Sequence, residues 1–338
     1  ISLATMYSAA FDYPGRFAGH VRNLAVAGVV TWMAAATPPA LLMRMALPLY
    51  LLGVALLVAV ELFGITNKGA TRWLDVGITR IQPSEMLKIA TPLMLAWYFN
   101  QREGLARWPD YLVATVLLAI PVGLIAKQPD LGTSILVLAA GVYVIFFAGL
   151  SWRVIGGLTA AGIAALPLLW TVMHDYQRQR VLTLLDPTAD PLGKGFHIIQ
   201  STIAVGSGGW TGKGWMQGTQ THLEFIPERT TDFILAVYAE EFGLLGVGVL
   251  MLLFLAVIGR GLVIAASGGT PFARLMAGSI TMSFFTYCFV NMGMVIGLLP
   301  VVGVPLPWMS YGGTAMVTLG LGAGMLMSFH RHRTLMQT

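Results

Sequence analysis

A succession of apolar runs, each long enough to cross a bilayer and separated by short polar turns, constrains this chain most. They fall near 20–37, 47–65, 83–99, 109–126, 132–150, 155–173, 232–259, 274–299 and 307–329. A helix needs about 20 residues to span hydrocarbon, a barrel strand only about ten. Inside lipid every backbone N–H and C=O must find a partner in the protein, which leaves helices or a closed barrel. These runs are too long for barrel strands. The chain is also 56% hydrophobic and only 10% charged over 338 residues, where soluble domains carry roughly 25% charged residues. The expected fold is an all-α polytopic integral membrane protein, a single bundle over 1–338. The apolar stretch Ile1 to Phe11 is too short to span and reads as the truncated end of a first helix. It lacks the basic n-region and cleavage pattern of a signal peptide. With it the expected spans number about ten. Cys288 is the lone cysteine, so no disulfide framework exists.

Orientation follows from the charges. The turns 38–46, 100–108, 151–154 and 260–274, with the tail from 330, alternate onto one side. They carry Arg44, Arg102, Arg107, Arg153, Arg260, Arg274, Arg331 and Arg333, with Glu103 and Asp110 the only acids nearby. The positive-inside rule makes that face cytoplasmic. The long polar stretch 174–231, before the eighth span, is then an extracytoplasmic loop. The remaining basic residues, all five lysines included, lie on the opposite side or within spans: Arg16, Arg22, Lys68, Arg72, Arg80, Lys88, Lys127, Arg178, Arg180, Lys194, Lys213 and Arg229. Solvation of exposed loops explains any one of them. As a set over several loops they favour an anionic ligand.

Several segments could carry chemistry. In Gln82-Pro-Ser-Glu-Met-Leu-Lys88, Glu85 and Lys88 share one helix face, and ionisable groups inside a span mark function by default. A self-neutralising helix tether is the plainer alternative. In Lys127-Gln-Pro-Asp-Leu-Gly-Thr133, Asp130 could cap the next helix through its spacing to Ser134, or meet substrate. Lys68-Gly-Ala-Thr-Arg-Trp-Leu-Asp75 sets Arg72 beside an aromatic, a mix that suits a membrane interface or a phosphate. Gly206 to Gly218 is glycine-dense, but a Walker A spacing ending at Gly212-Lys213 would need Gly at 207 and Ser or Thr at 214. Those positions hold Ser and Gly. The remaining readings are a mobile flap, or exposed N–H groups that approach an anion together with Lys213.

The stretch Phe225 to Glu241 ends the long loop and opens an apolar helix, with Asp232 on the seam. A carboxylate there stands where bilayer meets water and is the leading candidate for a catalytic base; an N-cap is the structural alternative. Glu240 lies about 12 Å deeper along the helix, too far for a close acid/base dyad, and is expected to be buried and hydrogen-bonded. The histidines show no metal-ligand spacing apart from His330-Arg-His332. Leu299 to Thr314, with Ser310 a candidate contact, is a Pro/Gly-rich re-entry of the kind tolerated where backbone lines a cavity or is buried in protein. Gly320-x-x-x-Gly324 permits close helix contact.

Taken in order, Lys68-Gly-Ala-x-Arg-Trp-Leu-Asp75, Gln82-Pro-Ser-Glu85, Gln128-Pro-Asp-Leu-Gly-Thr-Ser134, Asp175-Tyr-Gln-Arg-Gln-Arg180, Asp186-Pro187, Asp190-Pro191, Glu224 to Glu241 and Pro300 to Gly313 resemble the SEDS family of bacterial cell-wall proteins (shape, elongation, division and sporulation). The elongation branch is more similar than the division branch. The resemblance implies a ten-span peptidoglycan glycosyltransferase that polymerises lipid II on the outer face of the bacterial cytoplasmic membrane, beside a class B penicillin-binding protein. It implies the essential aspartate at Asp232, the intramembrane pair at Glu85 and Lys88 and the first-loop arginine at Arg72. Relatives usually have His-Thr-Asp at the junction, where this chain has Thr230-Thr231-Asp232. The expected chemistry makes Asp232 the base, with Arg72, Lys88 and Lys213 neutralising the leaving diphosphate. A divalent cation, Mg²⁺ or Mn²⁺, could share that task, with no ligand set identifiable. A lipid II flippase and a scaffold for the transpeptidase are the competing classes.

Overall fold

A computed structural model describes residues 1–67, 70–75, 80–102, 106–173, 175–189, 195–223, 225–226 and 228–332. Lys68, Glu103, His174, Asp190, Pro191, Lys194, Glu224 and Arg333 lie outside the described residues. The helices are α1 (Ser2–Ala9), α2 (Arg16–Ala36), α3 (Pro39–Phe63), α4 (Pro83–Asn100), α5 (Trp108–Lys127), α6 (Leu131–Phe147), α7 (Trp152–Val172), α8 (Asp175–Leu185), α9 (Phe196–Ser207), α10 (Thr219–His222), α11 (Ile234–Ala266), α12 (Pro271–Val295) and α13 (Gly313–His332). All nine long apolar runs therefore form helices. Among the described residues α3, α5, α11 and α12 are long and apolar enough to cross a membrane.

Helix starts follow local chemistry. Proline near the first turn of α3, α4 and α5 has the right φ and gives up an N–H that would have no partner. Asp110 closes α5 by accepting the Arg107 backbone N–H at 2.8 Å. Two regions expected as plain loops are structured. The turn after α3 pairs into a small antiparallel meander, β1 (Ile65–Asn67), β2 (Ala70–Asp75) and β3 (Arg80–Ile81), with Thr66 opposite Thr71 and Leu74 opposite Ile81. The stretch 174–231 contains α8, α9 and α10.

The chain forms two compact units. One comprises residues 1–21, 150–254 and 287–311, the other residues 22–149, 255–286 and 312–338. In the second, Tyr50, Leu57, Leu87, Ala90, Met94, Ile125 and Val137 form a buried core among α3, α4, α5 and α6. Small residues set its spacing. A Cβ at Gly53 would lie 2.8 Å from Leu87 Cδ2, and one at Gly324 would lie 2.3 Å from the Thr31 carbonyl oxygen. Gly320 and Gly324 thus bring α13 against α2, the close approach the Gly-x-x-x-Gly spacing permits. In the first unit α11 is broken at Gly243, whose φ of 64° and ψ of −165° are not helical. The break sets Ile234 to Phe242 apart as a short first segment of the helix.

Candidate functional site

In the first unit the chain turns at Glu228, a non-glycine residue with φ of 51°. It reaches α11 at Ile234, so Asp232 lies two residues ahead of the helix. Three successive carbonyls on this approach are each claimed from outside the segment. Tyr311 N–H donates to Thr230 O at 2.8 Å, Ser310 Oγ to Thr231 O at 2.6 Å, and Asn291 Nδ2 to Asp232 O at 2.9 Å. Asn291 also donates to Val304 O at 2.8 Å, and Ser310 Oγ accepts the Leu306 N–H at 2.8 Å. The Pro/Gly-rich re-entry is therefore a clamp on the junction's main chain. Ser310, expected as a substrate contact, is buried as the centre of that clamp.

Two arginines complete the junction. Arg229 is buried, donates to Ala9 O at 3.0 Å, pairs with Asp12, and lies over the Phe11 and Tyr13 rings. Arg16 donates to Thr230 Oγ1 at 3.1 Å, with its guanidinium 4.8 Å from the Tyr311 ring centroid. Thr230 thus receives a cation's hydrogen bond. The Asp232 side chain is half-buried, its carboxylate against Gly303, where an added Cβ would come within 3.5 Å of Oδ2. Gly303 has φ of 75°. Its missing side chain and left-handed backbone leave the carboxylate room. Nearby, burial pushes the His197 imidazole below its ordinary pKa while Glu228 pulls it up. Its ring stacks on Phe233 with centroids 5.8 Å apart.

The glycine-dense loop serves the helix break. Lys213 N–H and Gly214 N–H donate to Glu240 O and Glu241 O, both at 3.0 Å. In return Leu244 N–H and Leu245 N–H donate to Gly209 O at 2.9 Å and Trp210 O at 3.0 Å. Breaking a helix frees carbonyls on one side and N–H groups on the other, and this loop satisfies both. Closeness demands the glycines: a Cβ at Gly212 would lie 2.1 Å from Glu241 O. Glu240 is fully buried, as expected, and accepts from Lys213 Nζ at 2.7 Å, Gln220 N–H at 2.9 Å and Thr221 N–H at 3.2 Å. The Lys213 ammonium, expected to face a diphosphate, is held by Glu240 and by Thr219 Oγ1 at 2.7 Å.

In the second unit Lys88 Nζ donates to Glu85 Oε1 at 2.6 Å, and Thr318 Oγ1 donates to Glu85 Oε2 at 3.3 Å. Glu85 lines a mainly apolar groove of about 530 Å³ together with Gln82, Asn23, Thr314, Val26 and Leu321. Asp130 is a hub rather than a cap alone. Its Oδ1 accepts Thr133 N–H at 3.3 Å, so the cap bond goes to Thr133 and not Ser134. Its Oδ2 accepts Gln82 Nε2 at 3.2 Å and lies 3.8 Å from Arg72 Nε. Arg72 also donates to Pro129 O at 2.8 Å. Arg72, Gln82 and Asp130, drawn from three segments, thus form one polar cluster.

Asn291 was not singled out from sequence, although an amide inside an apolar run is a usable signal; Arg16 entered only as one of the opposite-side cations and Tyr311 only within the re-entry. Among the described residues no three His, Cys, Asp or Glu side chains converge as a metal site.

Fold and site together define a polytopic helical membrane protein with acidic groups set at a helix mouth and inside its bundle. The chain belongs to the FtsW, RodA and SpoVE family of cell cycle proteins, whose profile matches residues 3–335. It is 51% identical over 336 residues to the peptidoglycan glycosyltransferase MrdB of Escherichia coli K12, covering 99% of this chain and 91% of that one. It is 38% identical over 303 residues to MrdB of Helicobacter pylori J99, covering 87% and 77%. Among solved structures, a peptidoglycan synthase complex that coordinates polymerization and crosslinking matches with a TM-score of 0.84 at 33% identity, covering 98% of this chain and 94% of that one. The rod shape-determining protein RodA of Thermus thermophilus matches with a TM-score of 0.73 at 28% identity, covering 98% and 93%.

Proposed function

We propose that this chain is a peptidoglycan glycosyltransferase that polymerises lipid II during cell elongation and shape maintenance. In this reaction a sugar 4-hydroxyl oxygen attacks the anomeric carbon of the donor. The bond from that carbon to the diphosphate oxygen breaks, and polyprenyl diphosphate leaves with the electron pair. Asp232 accepts the hydroxyl proton, a role worth typically 10²–10⁴-fold. The observation that carries the assignment is the junction's construction: three carbonyls around Asp232 are pinned while its side chain stays half-exposed. A base aimed through its own backbone keeps a fixed direction towards the group it deprotonates.

Arg72 and Lys88 are assigned to the substrate's diphosphate, where fixed cations stabilise developing charge, and the groove beside Glu85 to its isoprenoid chain. Localisation in the bacterial cytoplasmic membrane, with Asp232 on the outer side, and pairing with a class B penicillin-binding protein complete the proposal. The similarity to a complex coupling polymerization to crosslinking supports such a partner. A flippase is disfavoured, because Glu240, which a polar path would use, is 0% exposed and saturated with donors.

The experiment is purified wild type and Asp232→Asn on lipid II, scored for polymer. The variant is expected to insert and melt normally yet make no glycan. Polymer at near wild-type rate would remove Asp232 from the base role. In parallel, labelled lipid II in liposomes should yield polymer rather than translocation alone.

A further inference from the structure

A second groove in the second unit, of about 420 Å³, has a different character from the one beside Glu85. Arg260 from α11, His330 and Arg331 from α13, and Trp32 of α2, Ile264 and Met327 line it. No acidic residue is among the described residues that line it. Arg260 donates to His330 Nε2 at 3.0 Å. A guanidinium can only donate, so this nitrogen accepts and the ring's proton sits on Nδ1.

Two plainer explanations account for only part of this. Cations in a helix's last turn complement its dipole, which covers His330 and Arg331 at the end of α13. It does not cover Arg260, which precedes the end of α11 at Ala266 by six residues. Arg260 is exposed, as snorkelling would have it, and its hydrogen bond to His330 ties it to α13 at the groove. Trp32 is 72% exposed, and exposed tryptophan in a membrane protein belongs at the headgroup level. Basic groups, an interfacial aromatic and an apolar wall on one groove match a molecule with a phosphate at one end and hydrocarbon at the other. Basic pockets between membrane helices take anionic headgroups on this logic.

We propose that this groove binds an anionic phospholipid, its phosphate held by Arg260, His330 and Arg331 and its acyl chains laid along Trp32, Ile264 and Met327. The site uses none of the residues assigned to polymerisation and stands whether or not that assignment does. Its volume falls within the usual range of about 300–1,000 Å³ for small-molecule sites, enough for a headgroup and the first part of its chains.

The test is native mass spectrometry of the full chain in detergent, titrated separately with cardiolipin, phosphatidylglycerol, phosphatidylethanolamine and inorganic phosphate. Cardiolipin and phosphatidylglycerol should be retained over phosphatidylethanolamine, and inorganic phosphate should not displace them at equal concentration. Arg260→Gln and Arg331→Gln should each lower retention about fivefold. Trp32→Ala should lower it less, and Arg153→Gln, at a residue that does not line the groove, should leave it unchanged. Melting in detergent identifies any variant that has not folded, and the wild-type lipid comparison stands without them. Equal retention of zwitterionic and anionic lipid overturns the proposal. So does unchanged retention in a folded Arg260→Gln/Arg331→Gln variant, or displacement by inorganic phosphate.

Discussion

Two Glu–Lys pairs lie in apolar surroundings of this protein, and they differ in what encloses them. Glu240 and Lys213 join a helix to a loop, with the carboxylate 0% exposed and every nearby donor spent on it. Glu85 and Lys88 sit three residues apart on α4, at the wall of a groove, with Glu85 Oε2 bonded only weakly to Thr318. The first pair has an enclosed carboxylate, although Lys213 is 27% exposed, and holds the chain together. The second borders the groove through Glu85, 13% exposed, while Lys88 is 6% exposed. An intramembrane charge marks function by default, and the comparison adds a criterion: saturation of the carboxylate tells structural pairs from working ones.

That criterion breaks or holds by mutation. Lys213→Met should produce the largest change in stability, because removing one partner leaves an uncompensated buried carboxylate, at about 3 kcal/mol. Melting in detergent would show it as a lowered Tm, and an unchanged Tm would mean that the pair does not secure the loop. Lys88→Met should cost less stability, about 1–2 kcal/mol, yet lower polymerisation of lipid II by about tenfold or more. Equal losses of Tm in the two variants, with polymerisation intact in Lys88→Met, would erase the distinction between the pairs.

The smallest effect concerns pH and uses His197, whose folded pKa lies below its ordinary value of 6.5 because of burial. The folded state then binds fewer protons than the unfolded one. The neutral ring's contribution is complete above pH 6.5 and is lost as pH falls toward the depressed folded value. His197→Phe should flatten the fall in Tm on mild acidification, and an unaltered slope would remove His197 as its cause.

Legibility from sequence divided along similar lines. Apolar length placed every long helix, because hydropathy and backbone satisfaction act residue by residue. The Glu85–Lys88 pair was readable because three residues of spacing is local geometry. What glycines 206–218 do was not, since it depends on carbonyls released at Gly243, far along the chain. The partners of the Ser310 hydroxyl, Thr231 O and Leu306 N–H, were hidden for the same reason, since tertiary folding sets them. Asp130 fell between, with its cap legible and its bonds to Gln82 and Arg72 not.

The interruption at Gly243 has a consequence for how the protein can be altered. The two halves of α11 share no continuous hydrogen-bond ladder there, and the stretch from Gly209 to Gly214 acts as a splint across the fracture. A graft from a relative would therefore have to carry splint and fracture together. Exchanging either alone would leave the carbonyls and N–H groups freed at the break without their partners.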